Sequence, residues 1–180
     1  MAIAARLNPG ESLGDRVVKV DQAGEHGAVC IYRAQRWLAR WRAPEMVAEL
    51  DEFLVHERRH RAIFLAELER SGAKRCRSYH LCGFGGFMLG FLTGLAGRRA
   101  IAATTVAIET VVLRHMHEQV ATLSGGDEAA AGALRDVIAD EQAHHDLSAL
   151  RLSPPGFWPR LITPVVEAST EAVIWLGMRL

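Results

Sequence analysis

The sequence has few of the features that mark a secreted, exported or nucleic-acid-binding protein. Its cysteines are Cys30, Cys76 and Cys82, an odd number without a Cys-x-x-Cys pair, which predicts reduced thiols rather than a disulfide framework or a zinc site. The first residues contain no apolar segment of the signal-peptide type, so we expect no export. The 21 basic and 21 acidic residues balance, and aromatic residues do not alternate with basic ones, so no nucleic-acid partner is predicted.

Strand patterns are also missing, and apolar residues recur at helical spacing, so the predicted fold class is all-α. A chain of 180 residues that is 49% hydrophobic suits a single domain, residues 1–180, with a substantial core. The pattern predicts long helices over Leu13–Trp41, Pro44–Arg70, Arg98–Leu123, Asp127–Leu150 and Pro159–Leu180. Breaks are predicted at Ser71-Gly72, Gly125-Gly126 and Pro154-Pro155-Gly156.

The middle segment, Leu81–Gly97, contains no charged residue and is rich in glycine. Gly86, Gly90 and Gly94 recur every four residues, which places a smooth stripe on one face of a helix. This stripe fits close packing against a neighbouring helix. A second interpretation is an interfacial helix that dips into a membrane and guards an apolar pocket. The segment is shorter than the roughly 20 residues of a spanning helix, and its large apolar content favours the membrane interpretation.

Two Glu-x-x-His pairs, Glu57 with His60 and Glu141 with His144, are the first sign of a metal site. Residues three apart on a helix share a face, so a carboxylate and an imidazole can reach one ion. Glu25 precedes Glu57 by 32 residues, and Glu109 precedes Glu141 by the same interval. Each interval is centred on a predicted helix break, so each upstream glutamate should meet its Glu-x-x-His across an antiparallel hairpin.

The surroundings of the upstream glutamates strengthen this prediction. Glu109 is the only charged residue between Ala100 and Leu113, which indicates a buried carboxylate that needs compensation. A salt bridge to Arg or His is the alternative to a metal. Four carboxylates balance two divalent ions, and mixed oxygen and imidazole ligation favours iron or manganese over zinc.

The remaining histidines and two further polar residues receive weaker assignments. His115 and Asp140 are candidates to contact the ligands rather than the metal, and Asp140 can orient an imidazole across the bundle. Tyr32 is a third such candidate. The other histidines are predicted to be surface, structural or merely adjacent residues: His26, His56, His80, His117 and His145.

At these residues the sequence resembles the demethoxyubiquinone hydroxylases, which are di-iron monooxygenases of ubiquinone biosynthesis. The motifs that carry the resemblance are Asp15-Arg16, Val20-Asp21-Gln-Ala-Gly-Glu25-His-Gly-Ala28, Ile31-Tyr32-Arg-Ala-Gln35, His56-Glu57-Arg-Arg-His60, Val106-Ala-Ile-Glu109, Asp140-Glu141-Gln-Ala-His144-His145-Asp146 and Ala172–Leu180. They extend over almost the whole chain. Two positions depart from the family pattern, where His26 and Met116 stand in place of tyrosines.

The resemblance implies a ferritin-like four-helix bundle made of two hairpins, with an apolar interfacial connector helix and a C-terminal helix. It implies two iron ions held by Glu25, Glu57, His60, Glu109, Glu141 and His144. Within that set Glu57 and Glu141 would bridge the ions, and each ion would receive one histidine.

The implied activity is hydroxylation of a prenylated demethoxy-benzoquinol or quinone with dioxygen. Leu81–Gly97 would contact the membrane surface, so the expected location is peripheral, on the cytoplasmic face of an inner membrane. A second copy of the chain or an accessory lipid-binding protein is a further candidate partner. The alternatives are a ferritin-like iron-storage protein, which would lack the apolar connector, and a peroxide-scavenging protein of the rubrerythrin type, which would carry a Cys-x-x-Cys module.

Overall fold

The structure, a computed structural model, describes residues 4–152 and 156–180. Its helices are α1 (Leu13–Arg42), α2 (Val47–Ser71), α3 (Tyr79–Ala96), α4 (Arg98–Leu123), α5 (Glu128–Arg151) and α6 (Phe157–Gly177), with a short 3-10 turn at Pro44–Met46. These described residues include no strand, so the predicted all-α class is confirmed.

Local sequence signals set several helix ends. Ser12 caps α1 by accepting from the Asp15 backbone N–H, and the Asp15 carboxylate accepts from the Ser12 backbone in return. Gly72 ends α2 in the left-handed conformation, where glycine has no steric penalty. Pro44 begins the 3-10 turn before α2, so the predicted second helix is interrupted at its first turn. Gly156 caps α6, and Pro154 and Pro155 of the predicted break lie outside the described residues.

The bundle consists of two helical hairpins. Helix α1 packs on α2 and α4 packs on α5, and contacts of α2 with α5 and of α1 with α4 join the two pairs. Apolar side chains such as Phe53, Phe64 and Leu134 are fully buried between them. This arrangement confirms the predicted ferritin-like bundle of two hairpins, with α3 as the connector helix and α6 as the C-terminal helix.

The glycine stripe of α3 packs directly on the backbone of α1. A Cβ atom at Gly86 would meet the Gly27 carbonyl, and one at Gly90 would meet the Ile31 carbonyl. Side chains at these positions would therefore force the two helices apart. The packing interpretation of the stripe is confirmed, and the stripe holds α3 against the bundle along its length.

The opposite face of α3 is apolar and exposed. Its large outward-facing side chains are Leu81, Phe84, Phe87, Met88, Leu92 and Leu95. Helix α6 packs on α4 and exposes Phe157, Leu161, Val165 and Trp175. Within the described chain, α3 is also the one helix long and apolar enough to cross a membrane, by length and composition alone. Two helices outside the four-helix core thus present uncovered apolar surface.

The close contact between α3 and α1 predicts opposite effects for two neighbouring glycine substitutions. Gly90→Ala should destabilise the protein by about 1–3 kcal/mol, because the added methyl group overlaps the α1 backbone. Gly85→Ala is the matched control, since a Cβ there meets no atom within 4 Å. Alanine's higher helix propensity should make that change neutral or stabilising by up to about 1 kcal/mol. Urea unfolding measures both, and equal effects of the two substitutions would contradict the packing.

Candidate metal centre

All six predicted ligands lie in the interior of the bundle. Helices α1 and α4 contribute one glutamate each, and α2 and α5 contribute one glutamate and one histidine each. All six side chains are at least 94% buried: Glu25, Glu57, His60, Glu109, Glu141 and His144. Their shared location follows from the helical hairpins, which bring residues at equal distances from each turn to the same level.

The six residues form two overlapping clusters, each suited to one ion. In the first, ligand atoms of Glu25, Glu57, His60 and Glu141 all lie within 4.8 Å of one another. In the second, Glu57, Glu109, Glu141 and His144 meet the same criterion.

Glu57 and Glu141 belong to both clusters, whereas each cluster has one carboxylate and one imidazole of its own. A pair of neighbouring ions would require this geometry, in which two carboxylates are shared and the other donors belong to one ion each. The described residues therefore can hold a metal centre.

The pKa shifts of the four glutamates show that the cluster is unfavourable as a set of anions when no cation is bound. Burial raises the pKa of Glu25, Glu57 and Glu109 well above its usual range, and the charge of neighbouring glutamates raises it further. Burial would also raise the pKa of Glu141, but the imidazoles of His144 and His60 beside it reverse the direction. Three of the four carboxylates are thus poorly stabilised as anions by the protein alone.

Unpaired polar atoms at the centre point to the same requirement. Both carboxylate oxygens of Glu57 are buried and form no hydrogen bond among the described residues, although His144 Nδ1 lies 3.3 Å from Oε1. His60 Nδ1 lies 2.9 Å from Glu141 Oε1, yet its orientation leaves it without a hydrogen bond among the described residues. Buried polar atoms are seldom left unpaired, and oxygen and imidazole donors are what iron binds. The residues present therefore fit the iron ions that the resemblance implies.

The outer nitrogen of each histidine is held by a residue from the other hairpin. His60 Nε2 lies 2.9 Å from Asp140 Oδ2, and Arg59 also donates to that carboxylate at 2.8 Å. His144 Nε2 lies 3.0 Å from His56 Nδ1. Fixing the outer nitrogen turns Nδ1 of each ring toward the carboxylates. Asp140 thus contacts His60 across the bundle, and its orienting role remains a prediction.

His56 is a residue whose place the sequence analysis missed. It was grouped with surface or structural histidines, but it contacts a residue of the cluster. The repeat contained the signal, because His56 directly precedes Glu57 just as Asp140 directly precedes Glu141. In each hairpin the residue before the shared glutamate reaches the histidine of the opposite hairpin.

The other candidates occupy different positions. Tyr32 is buried and its hydroxyl donates to Glu109 Oε1 at 3.0 Å, as predicted for a residue that contacts a ligand. His115 instead contacts Glu171 of α6 at 2.9 Å. His26 points away from the cluster and stacks on Tyr79 with ring centroids 4.0 Å apart.

The remaining histidines show no role at the centre. His145 lies 2.9 Å from its neighbour Asp146, and His80 and His117 are exposed. These three positions agree with the sequence analysis.

A pocket of about 270 Å³ lies against the cluster. The walls come from α1, α3, α4 and α6 and are mainly apolar, for example Ile31, Leu89, Ile108 and Val173. The pocket is also lined by all four clustered carboxylates: Glu25, Glu57, Glu109 and Glu141. An apolar pocket with a few polar groups at one end is the usual form of a small-molecule site. Here α3 and α6, the helices with exposed apolar faces, form two of its walls.

Asp21 is the other carboxylate in the pocket lining. Its Oδ1 accepts from Gln119 at 3.3 Å, and its Oδ2 is buried without a partner in the described chain. Burial raises the pKa of this group to about 7.

Comparison with known proteins gives consistent matches. The model of the family described as ubiquinone biosynthesis protein COQ7 matches residues 12–177. The chain is 33% identical over 171 residues to the 3-demethoxyubiquinol 3-hydroxylase of Rhodospirillum rubrum, covering 93% of this chain and 79% of that protein.

Two mitochondrial proteins named NADPH-dependent 3-demethoxyubiquinone 3-hydroxylase are also similar. The protein of Dictyostelium discoideum is 28% identical over 175 residues, with 92% of this chain and 76% of that protein covered. The human protein is 28% identical over 173 residues, with 92% and 77% covered. The family match spans nearly the whole chain, including all six clustered residues. The chain belongs to the COQ7 family of ubiquinone biosynthesis proteins.

Proposed function

We propose that the protein is a di-iron monooxygenase that hydroxylates a prenylated demethoxy-benzoquinol or quinone in ubiquinone biosynthesis. The observation that carries this proposal is the mainly apolar pocket whose lining includes all four carboxylates of the cluster. The names of the similar proteins support the reaction and the class of substrate. Family membership also favours this function over the iron-storage and peroxide-scavenging alternatives.

The proposed cofactor is a pair of iron ions, one in each ligand cluster. Glu25 and His60 would serve one ion, Glu109 and His144 the other, and Glu57 and Glu141 both. Four carboxylates balance the charge of two ferrous ions, and the ions would compensate the burial and mutual repulsion that raise the pKa of Glu25, Glu57 and Glu109. When bound, the iron pair supplies the electrons and Lewis acidity for dioxygen activation, so that one oxygen atom enters the ring and the other leaves as water.

The protein's own residues prepare the site for this chemistry. Asp140 and His56 fix the two histidines in one orientation, and Tyr32 holds Glu109. The apolar walls of the pocket exclude water from the reacting ring. The ring would lie beside the carboxylate cluster, and the prenyl tail would extend along the wall between α3 and α6. We expect the reaction to depend mainly on placement and exclusion of water.

The proposed cofactor predicts that iron binding saturates near two ions per chain. Glu109→Ala should reduce this to about one, because it removes a ligand from one cluster while the other keeps its own. The metal-free variant should remain as stable as the metal-free wild-type protein, since it loses a poorly compensated buried carboxylate. Anaerobic titration with ferrous iron and thermal unfolding measure the two quantities. Glu118→Ala, an exposed position on the same helix, is the matched control.

Saturation of the wild-type protein at one ion or none would contradict the di-iron centre. If the metal-free Glu109→Ala variant is much less stable than the metal-free wild-type protein, Glu109 stabilises the core of the fold rather than binding the metal.

The proposed reaction predicts incorporation of one labelled oxygen atom. Iron-loaded protein, a reductant and a short-chain demethoxy-benzoquinol should yield a hydroxylated ring that carries one atom from ¹⁸O₂, detected by mass spectrometry. Glu109→Ala and His144→Ala should reduce the product to background, while Glu118→Ala retains it. Normal product formation by either ligand variant would contradict the assignment.

We further propose that the protein docks on a membrane through α3 and α6, at the cytoplasmic face of an inner membrane. A prenylated substrate resides in the bilayer, and two of the four helices that form the pocket walls, α3 and α6, have uncovered apolar faces. Each exposed aromatic or aliphatic side chain would contribute at most about 1.5–3 kcal/mol on burial. Exposed basic residues flank α3 at Lys74, Arg75, Arg77 and Arg98 and would add roughly 1 kcal/mol each at anionic headgroups.

Membrane docking predicts that the protein floats with anionic liposomes. The pair Phe84→Asp and Leu92→Asp should abolish flotation, because these side chains are 68% and 60% exposed on the docking face. The pair Val55→Asp and Leu150→Asp is the matched control, at side chains 61% and 75% exposed on α2 and α5. Both pairs should leave the fold intact, as circular dichroism can verify. If the wild-type protein stays in the soluble fraction, or if the two pairs behave alike, docking through α3 is wrong.

A further inference from the structure

Asp21 stands out among the polar residues of the pocket because neither the proposed cofactor nor the fold accounts for it. It lies one helical turn before Glu25 on α1, so both side chains face the same side of that helix. It lines the pocket but is absent from both metal-ligand clusters. The carboxylate is therefore beside the cluster rather than within it.

Of the two carboxylate oxygens of Asp21, Oδ1 has a hydrogen-bond partner and Oδ2 has none among the described residues. Its interaction with Gln119 is long, at 3.3 Å, and within residues 4–152 and 156–180 no lysine, arginine or histidine forms an ion pair with it. Asp21 is partly exposed as a residue, but its Oδ2 atom is buried, and a buried carboxylate oxygen without a cation or a hydrogen-bond donor destabilises the folded protein. A residue with this cost and this position suggests a partner that enters the pocket. The χ2 torsion of aspartate has a broad distribution, so a small rotation about it would turn Oδ2 toward such a partner.

We propose that Asp21 accepts a hydrogen bond from a ring hydroxyl of the bound benzoquinol and thereby fixes the ring beside the metal ligands. This role rests on the proposed function. A hydroxyl held by Asp21 places the ring within one helical turn of Glu25, at the inner end of the pocket. Gln119 occupies Oδ1 of the carboxylate, so Oδ2 is the atom that remains for the ring hydroxyl.

The chemistry of this contact selects one redox form of the ring. An ionised carboxylate only accepts hydrogen bonds, so it pairs with the hydroxyl of a quinol and not with the carbonyl of a quinone. Asp21 would therefore favour the reduced, electron-rich ring that an oxidising centre attacks. Asp21 acts as a specificity-determining residue in this proposal.

The test compares the affinities of the two ring forms. The full chain is loaded with Mn(II), which suits the same ligands and does not exchange electrons with the ring, and is titrated without oxygen at pH 8.5. At that pH Asp21, with its pKa of about 7, is ionised. The probes are a demethoxy-benzoquinol with one prenyl unit and the corresponding quinone, and calorimetry gives the affinity of each.

Wild-type protein should prefer the quinol. Asp21→Asn should reduce that preference about tenfold to a hundredfold, the range for a hydrogen bond to a charged group. Its amide oxygen would stay with Gln119, leaving an N–H group in the pocket. Asp21→Leu, similar in shape and without polar atoms, should show the same loss.

Two control variants separate recognition from a structural role. Thr170→Val changes another pocket residue and should keep the preference. Gln119→Met removes the internal partner of Asp21 but leaves its carboxylate, so the preference should also persist. A merely structural Asp21 would make Gln119→Met and Asp21→Asn behave alike, which would overturn the proposal.

Retention of the quinol preference in Asp21→Asn or Asp21→Leu would overturn the role of Asp21 alone. If wild-type protein binds neither ring form, the proposed function is wrong, and the role of Asp21 falls with it.

Discussion

Four carboxylates buried at one point are the constraint on which the rest of this structure depends. Each of α1, α2, α4 and α5 directs one of them into the bundle, where water cannot stabilise the charge. Burial, and after it the charge of neighbouring glutamates, raises the pKa of three of them, Glu25, Glu57 and Glu109, and a bound metal would compensate these charges. Because one cation would contact residues from both hairpins, the bound metal would also join the two halves of the bundle.

The second layer of contacts gives the two halves different surroundings. The hairpins repeat each other in spacing, yet the outer nitrogen of His60 meets the carboxylate of Asp140, whereas that of His144 meets the imidazole of His56. A carboxylate partner makes an imidazole a more basic ligand than a neutral partner does. Tyr32 adds a further contact on the side of Glu109. The fold therefore places two clusters of the same residue types in unequal environments.

The pocket depends on how the two outer helices pack. Glycine contacts such as that of Gly90 with Ile31 let α3 lie directly on α1, so that its opposite face stays free and its edge lines the pocket. Helix α6 lies on α4 and lines the pocket from another side. One connector helix thus joins three features: close backbone packing, an exposed apolar face, and a wall of the cavity beside the metal ligands. Asp21 adds a polar contact within a largely apolar lining.

The sequence by itself determined the helices, the two hairpins and the six clustered residues, because each rests on spacing along the chain. Helix periodicity and the equal interval from Glu25 to Glu57 and from Glu109 to Glu141 are local or pairwise properties. Asp140 and Tyr32 were also predicted from the sequence as residues near the ligands, and each contacts a residue of the cluster. The ligand assignment itself remains a prediction that metal analysis will test.

Only the tertiary structure decided which side chains meet when no repeated interval in the sequence relates their two helices. His56 reaches His144 because α2 faces α5, Asp21 reaches Gln119 because α1 faces α4, and His115 meets Glu171 because α6 packs on α4. Such contacts depend on the rotation of each helix about its axis and on its packing distance, which many side chains determine together. For the same reason the pocket, whose walls come from four helices, could not be predicted from the sequence, whereas the six clustered residues, which two repeated hairpins bring together, could.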